Sequence, residues 1–272
     1  MSTRFQLAKN YLSYFLRASN GKGHGIHSPF VFDFVQNVLN DRREFYSFER
    51  IEQLRKKLLI DERLVAIRDF GAGSIVTQNR NRPVSEIAKY SSVSPRFGKL
   101  LFRIVHHYGV QRMIELGTSL GISSAYLGSG NENAALWTIE GDPNIAAIAA
   151  SNFKELALPN IELVRGSFEE KLTKTIHQLT CRGKFGIELA FIDGNHRKEP
   201  VLRYFDELLH YMSESSVIIL DDIHWSKEMN GAWTTIKNDQ RVLLTIDLFF
   251  FGLVFFRQEF VHKQDFTIYF PR

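Results

Sequence analysis

A chain of 272 residues that is 44% hydrophobic and carries a formal net charge of +4 has enough apolar material for a large folded core. Its 34 basic and 30 acidic residues are interspersed, which argues against a nucleic-acid-binding protein and allows only a mild preference for anionic partners. The one cysteine, Cys181, excludes an intrachain disulfide framework and a CxxC metal site, and fits a cytoplasmic protein.

The N-terminal residues have no uninterrupted apolar stretch and no small-residue cleavage site, so they read poorly as a signal peptide. Phe5, Ala8, Leu12, Phe15 and Leu16 fall at helical spacing, which predicts an amphipathic helix over residues 5–16. Glycines break the pattern over 19–25. It resumes over 26–40, with Ser28 placed to cap and Pro29 at a first helical position. Further helices are expected over 45–59, 84–90 and from Ser94-Pro95 to His107. Residues 1–110 thus read as a helical N-terminal extension or cap.

From residue 111 short apolar runs alternate with helical patterns. Strands are expected over 112–116, 135–140, 161–164, 188–193 and 216–221. Helices are expected over 122–127, 143–156, 168–179, 200–212 and 226–237. Such alternation predicts right-handed βαβ units. Residues 242–250 and 253–256 have no helix between them and should form a terminal antiparallel strand pair. This stretch is the most apolar in the chain, but it is too short to span a bilayer and Asp247 and Gly252 interrupt it, so no transmembrane segment is expected. The expected architecture for 111–272 is α/β: a Rossmann-like, doubly wound, mostly parallel seven-stranded sheet.

Ligands of such sheets sit outside the carboxyl ends of the strands. The first strand ends Glu115-Leu116-Gly117-Thr118-Ser119-Leu120-Gly121. Gly117 allows a sharp turn, Gly121 a close approach of helix and ligand, and free N–H groups at the helix start favour polar or anionic groups. Glu115 disfavours a phosphate there and favours a cationic ligand. The second strand ends at Glu140, whose carboxylate can accept bonds from ribose hydroxyls. Polar residues also close the fourth strand, Asp193-Gly194-Asn195-His196, and the fifth, Asp221-Asp222.

The G-x-x-x-G spacing, with Glu two residues before the first glycine, departs from the G-x-G-x-x-G of nicotinamide domains. It resembles motif I of the class I S-adenosylmethionine-dependent methyltransferases. Glu140, the Phe191-Ile192-Asp193 strand end and the terminal antiparallel pair agree. The likeness is to the catechol O-methyltransferase-like branch and to related bacterial methyltransferases whose fourth strand ends in D-G-x-H; it covers residues 100–256. The resemblance implies that Glu115 and Gly117 line the methionine end of S-adenosylmethionine, with Glu115 answering the amino group. It implies that Thr118 and Ser119 bond the carboxylate, Glu140 the ribose and Ser167 the adenine, and that Asp193 lies by the sulfonium and the acceptor. Residues 23–30 also resemble an N-terminal signature of such bacterial proteins, with no derivable role.

The chemistry expected is O-methylation of a small-molecule acceptor. His196 stands where catechol-type enzymes carry a lysine base; it titrates near neutrality, and the alternative is a loop histidine bonded to a neighbour. Asp193, Asp221 and Asp222 are candidate ligands for Mg²⁺, the alternative being helix capping toward water. The other histidines show no zinc-ligand spacing. Trp225 and Trp233 could stack on a planar acceptor or pack on the sheet. A homodimer is compatible with this reading. A second glycine loop, Asp69-Phe70-Gly71-Ala72-Gly73-Ser74, lacks both an apolar helix after it and an acidic strand end at the right distance, and reads as a loop near the substrate pocket. Two other functions stay open: an NAD-dependent oxidoreductase, disfavoured by the glycine spacing, and a non-enzymatic protein that docks its basic, aromatic N-terminal helix on a membrane or partner.

Overall fold

The computed structural model describes residues 4–18, 21, 23, 26–67, 81–180, 186–257, 260 and 262–270. The second glycine loop, Cys181 and part of the 23–30 segment lie outside them. In chain order the elements are helices α1 (Arg4–Arg17), α2 (Pro29–Phe34, continued by a π turn, Val35–Leu39) and α3 (Tyr46–Leu59), strands β1 (Leu64–Ala66) and β2 (Asn81–Pro83), and helices α4 (Val84–Tyr90) and α5 (Pro95–Tyr108). Then follow β3 (Arg112–Leu116), α6 (Ile122–Gly130), β4 (Ala135–Glu140), α7 (Pro143–Glu155), β5 (Ile161–Arg165) and α8 (Phe168–Thr180). The chain ends with β6 (Ile187–Ile192), α9 (Lys198–Leu209), β7 (Met212–Leu220), α10 (Lys227–Asn238), β8 (Leu244–Asp247), β9 (Gly252–Phe255) and β10 (Gln264–Thr267). They divide between two compact units, Arg42–Arg182 and Met1–Asp41 with Gly183–Pro271.

The first of these units contains the βαβαβ run predicted from the apolar alternation. β4 pairs in parallel with β3 on one side and β5 on the other. The register sets Glu115 opposite Thr138 and Glu140 opposite Arg165. Helix α5 starts with Pro95 at its first turn and stops at Gly109, whose left-handed backbone (φ 63°) closes the last turn by donating to Val105 O. In α7, Asp142 caps the N-terminus by accepting from the N–H groups of Asn144 and Ile145, and Pro143 occupies the first turn.

In the second unit the strands run in the order β10-β8-β9-β7-β6. β6 and β7 are parallel, and β8 and β9 form the expected antiparallel pair, joined to β7 through β9. The main strands, β3 to β10, number eight rather than seven, because β10 adds in parallel to β8. Helix α9 begins two residues earlier than expected, at Lys198, and ends at Leu209, leaving Met212 to start a nine-residue strand whose first half is exposed. Ser28 makes no side-chain capping bond, although Pro29 does open α2.

Helix α1 forms as predicted and is tied to the C-terminal residues by one buried tyrosine. Tyr14 Oη donates to Ile268 O (2.6 Å) and accepts from Phe270 N–H (2.9 Å), while its ring and that of Tyr11 pack on Phe249. Tyr14→Phe removes the hydroxyl and leaves a buried carbonyl and a buried N–H unmatched. The expected cost is about 1–3 kcal/mol, read as a lower denaturant midpoint with unchanged slope.

Candidate functional site

The loop after β3 is held from beneath by a carboxylate. Glu115 has no exposed surface. The β3–β4 register brings Thr138 alongside it, and Thr138 Oγ1 lies 2.6 Å from Glu115 Oε2, which also accepts from Ser124 Oγ in the first turn of α6. Thr138 Oγ1 in turn lies 2.6 Å from Thr118 Oγ1. One carboxylate thus fixes strand, loop and helix start together. The hydroxyl of Thr118, 1% exposed, is engaged in this chain.

The rest of the loop is shaped for tight turning. Gly117 and Gly121 have φ of 105° and 84°. A Cβ at Gly121 would approach the Phe153 ring to 2.5 Å, so glycine is required there both by backbone and by space. Ser119 takes a left-handed backbone, φ 48°, at a cost of about 1–3 kcal/mol. Its N–H donates to Glu140 Oε2 (2.9 Å), while Asp142 N–H donates to Glu140 Oε1 (2.9 Å). Burial pushes the Glu140 carboxyl above its ordinary range, and the N–H groups of Asp142 and Ser119 oppose that shift without cancelling it. Gly141 N–H also stabilises the charged form, and the four lone pairs of the carboxylate leave one free for a further donor. Ser119 Oγ is buried and has no hydrogen-bond partner among the described residues. Gly166 (φ 138°) donates to Glu140 O, and Ser167 O accepts from the N–H groups of Glu170 and Lys171 in the first turn of α8, so Ser167 stands at the end of β5 beside this loop's neighbour strand. Glu115, Gly117, Thr118, Ser119, Gly121, Glu140 and Ser167 therefore all belong to one unit, at the carboxyl ends of its three parallel strands.

The second group of candidates lies in the other unit, at the ends of β6 and β7. Burial pushes Asp193 up to about 6; His196, whose Nε2 lies 3.6 Å from Asp193 Oδ1, pulls it down, Asp222 pushes it up, and a hydrogen bond with Asp221 pulls it down. Asp221 is raised well above its ordinary value by burial and by its two carboxylate neighbours. Burial and repulsion from neighbouring carboxylates therefore favour the protonated form in both Asp193 and Asp221. Among the described residues no group of three or more His, Cys, Asp or Glu is placed to hold a metal ion. Asn195 and Asp222 both adopt left-handed backbone, φ 59° and 52°.

Trp233 is committed to packing. It is 2% exposed and its Nε1 donates to Asp247 Oδ2 (3.2 Å), whereas Trp225 is 37% exposed. Asp247 also accepts from Phe249 N–H (2.9 Å) and lies 2.8 Å from His224 Nε2. Burial raises its carboxyl, but His224, Phe249 N–H and Trp233 together hold it below the ordinary value. Sequence reasoning passed over Thr138, Ser124 and this His224–Asp247 pair. A hydroxyl two residues before Glu140 in an otherwise apolar strand was the available signal for Thr138.

An open α/β fold with glycine turns and carboxylates at its strand ends is a class that takes adenosyl ligands at those ends. Within that class the chain matches a particular family. Residues 114–223 match the family described as "Methyltransferase domain". The chain is 29% identical over 133 residues, 48% of its own length, to a catechol O-methyltransferase of Niastella koreensis, of which 58% is covered. The chain spans little more than half the length of the curated relatives it matches. In fold it is similar to an O-methyltransferase from Bacillus cereus solved in complex with SAH (TM-score 0.53, 20% identity, 83% of this chain and 97% of that one). It is also similar to an SAH-bound methyltransferase of Podospora anserina (TM-score 0.57, 15% identity, 85% and 97%). Residues 114–223 are thus similar to methyltransferase domains, and the relatives and fold neighbours named here are methyltransferases.

Two outcomes check this geometry. Thr138→Val keeps the side-chain shape but removes the hydroxyl between Glu115 and Thr118; thermal denaturation should show a loss of about 1–3 kcal/mol. For the carboxyl pair, the folded state binds a proton more tightly than the unfolded chain does, so its contribution is present at low pH and lost as pH rises. The melting temperature of wild type relative to Asp193→Asn should therefore fall as pH is raised from 4, where the unfolded carboxyl titrates, through about 6.

Proposed function

We propose that this protein is an S-adenosylmethionine-dependent O-methyltransferase acting on a small-molecule acceptor. The observation that carries the reading is the coupling of the first-strand loop to the second-strand end: Glu140 is anchored by Ser119 N–H and Asp142 N–H with acceptor capacity to spare. Carboxylate geometry of this kind suits a ribose diol, which presents two adjacent donors. The buried, unmatched Ser119 Oγ suits the methionine carboxylate, and the loop N–H groups suit the same anion. Glu115 supports the loop and sets its charge, while Gly117 and Gly121 let ligand and helix approach. Ser167 stands by for the adenine edge.

S-adenosylmethionine, once bound, supplies an activated methyl group on a sulfonium. What the chain must add is alignment and proton removal, and alignment alone can contribute several kcal/mol. Asp193 and His196 are the groups we assign to the acceptor proton. With its carboxyl pushed up to about 6, Asp193 is both ionised near neutrality and basic enough to accept a proton through or beside His196.

Isothermal titration of the wild-type protein with S-adenosylmethionine tests the reading. We expect saturable binding that weakens by about tenfold or more in Glu140→Ala, the loss of one to two hydrogen bonds to a charged acceptor. Absence of binding by folded wild type, or preferential binding of NAD in the same titration, refutes it.

A further inference from the structure

Helix α1 presents its apolar stripe outward. Ala8, Leu12, Phe15 and Leu16 line one face at helical spacing, the arrangement that normally packs on a protein's own core. Here Ala8 is exposed, and Leu12, Phe15 and Leu16 are exposed by 59%, 51% and 75%, with Phe15 meeting the Tyr269 ring edge to face. The packed face is the aromatic one, Tyr11 and Tyr14 against Phe249. Tyr14's two hydrogen bonds to residues 268 and 270 fix that choice, since rolling the helix to cover Leu12 and Leu16 would break both.

The charge pattern says what this face fits. Lys9 and Arg17 are exposed on the same helix, which contains no acidic residue. The chain has no Asp or Glu before Asp33, while Arg4, Lys9, Arg17 and Lys22 all fall in that stretch. Leucine and phenylalanine exposed on a helix that carries cations and no acidic residue are the makings of a helix that lies in the plane of a membrane surface. A second copy laid across the stripe by a twofold axis would set the same cations against their own symmetry mates. An anionic surface satisfies apolar stripe and cations together.

We propose that α1 docks the protein on anionic phospholipid, with Leu12, Phe15 and Leu16 entering the headgroup boundary and Lys9 and Arg17 pairing with lipid charge. This inference stands apart from the methyltransferase reading. Its test is sedimentation of the full chain with vesicles of phosphatidylcholine alone or mixed with phosphatidylglycerol, for wild type, Leu16→Asp and the Lys9→Glu/Arg17→Glu double variant. The expected result is about tenfold greater recovery on the mixed vesicles, reduced by salt and lost in both variants. Circular dichroism melts unchanged from wild type would show that the variants, altered only at exposed positions, remain folded. Failure of folded wild type to sediment with the anionic vesicles overturns the proposal. Equal recovery on pure phosphatidylcholine overturns its electrostatic part. A dimer in light scattering that Leu16→Asp converts to monomer, without vesicle binding, assigns the stripe to a second copy instead.

Discussion

The architecture around the first-strand loop depends on a carboxylate that has been taken wholly out of water. An isolated ionised carboxyl in such a place would cost several kcal/mol, and the cost is met only if polar partners surround it. At Oε2, Glu115 finds two of them, in Thr138 on the adjacent strand and Ser124 on the following helix. Because each partner sits on a different element, satisfying the carboxylate also sets the distance from β3 to β4 and the angle at which α6 leaves the loop. Thr118 is recruited through Thr138. The backbone of the loop then has little freedom left, and the N–H of Ser119 falls where Glu140 can accept it. A preorganised loop of this kind binds its ligand without first having to be ordered.

This chain of dependence alters the role of Glu115. Its residue type at that spacing pointed toward a cationic ligand group, and the resemblance assigned it to an amino group. Its burial and its two hydroxyl partners make it equally the keystone of the fold locally. The two roles are compatible, since a buried negative charge beneath a turn raises the local preference for a positive ligand even without direct contact. The same logic separates Thr118 from Ser119. Adjacent hydroxyls look interchangeable in sequence, yet one is engaged inside the sheet and the other is buried with no partner among the described residues.

What could be read from the sequence was whatever local pattern determines. The strand-end carboxylates, the glycine turns, Pro143 at a helix start and the antiparallel pair β8–β9 all follow from residues close together in the chain. What could not be read depends on register and on partners far away. Thr138 gains its role only when β4 pairs with β3 so that it faces Glu115. Strand β10 is polar, Gln264-Asp265-Phe266-Thr267, and carries no alternating pattern; it is held at an edge by Asp265 bonding Thr245 and Lys237. The orientation of α1 went against its hydrophobic pattern because Tyr14 combines a packing ring with a hydroxyl that two distant backbone groups require.

Backbone strain marks the same places by a separate route. Among the described residues, five other than glycine have positive φ: Ser119, Ala157, Asn195, Asp222 and Phe249. Ala157 follows the C-terminus of α7, where a left-handed residue is an ordinary way to end a helix. The other four lie just past the ends of β3, β6, β7 and β8. Each is secured by a polar bond that a relaxed backbone would forfeit: Ser119 N–H to Glu140, Asn195 Nδ2 to the Tyr204 hydroxyl, Asp222 N–H to Asp221, and Phe249 N–H to Asp247. In three of them the acceptor is a carboxylate, so the acidic strand ends have a structural task as well as a chemical one: they hold the chain in turns that aim polar groups away from the sheet. Strain of this kind persists only where surrounding bonds over-determine it, and it gathers where function needs a fixed geometry. That it collects at the carboxyl ends of these strands, and that the glycines of the first-strand loop share the same left-handed backbone, makes the strand ends the constrained part of this fold on grounds independent of any family likeness.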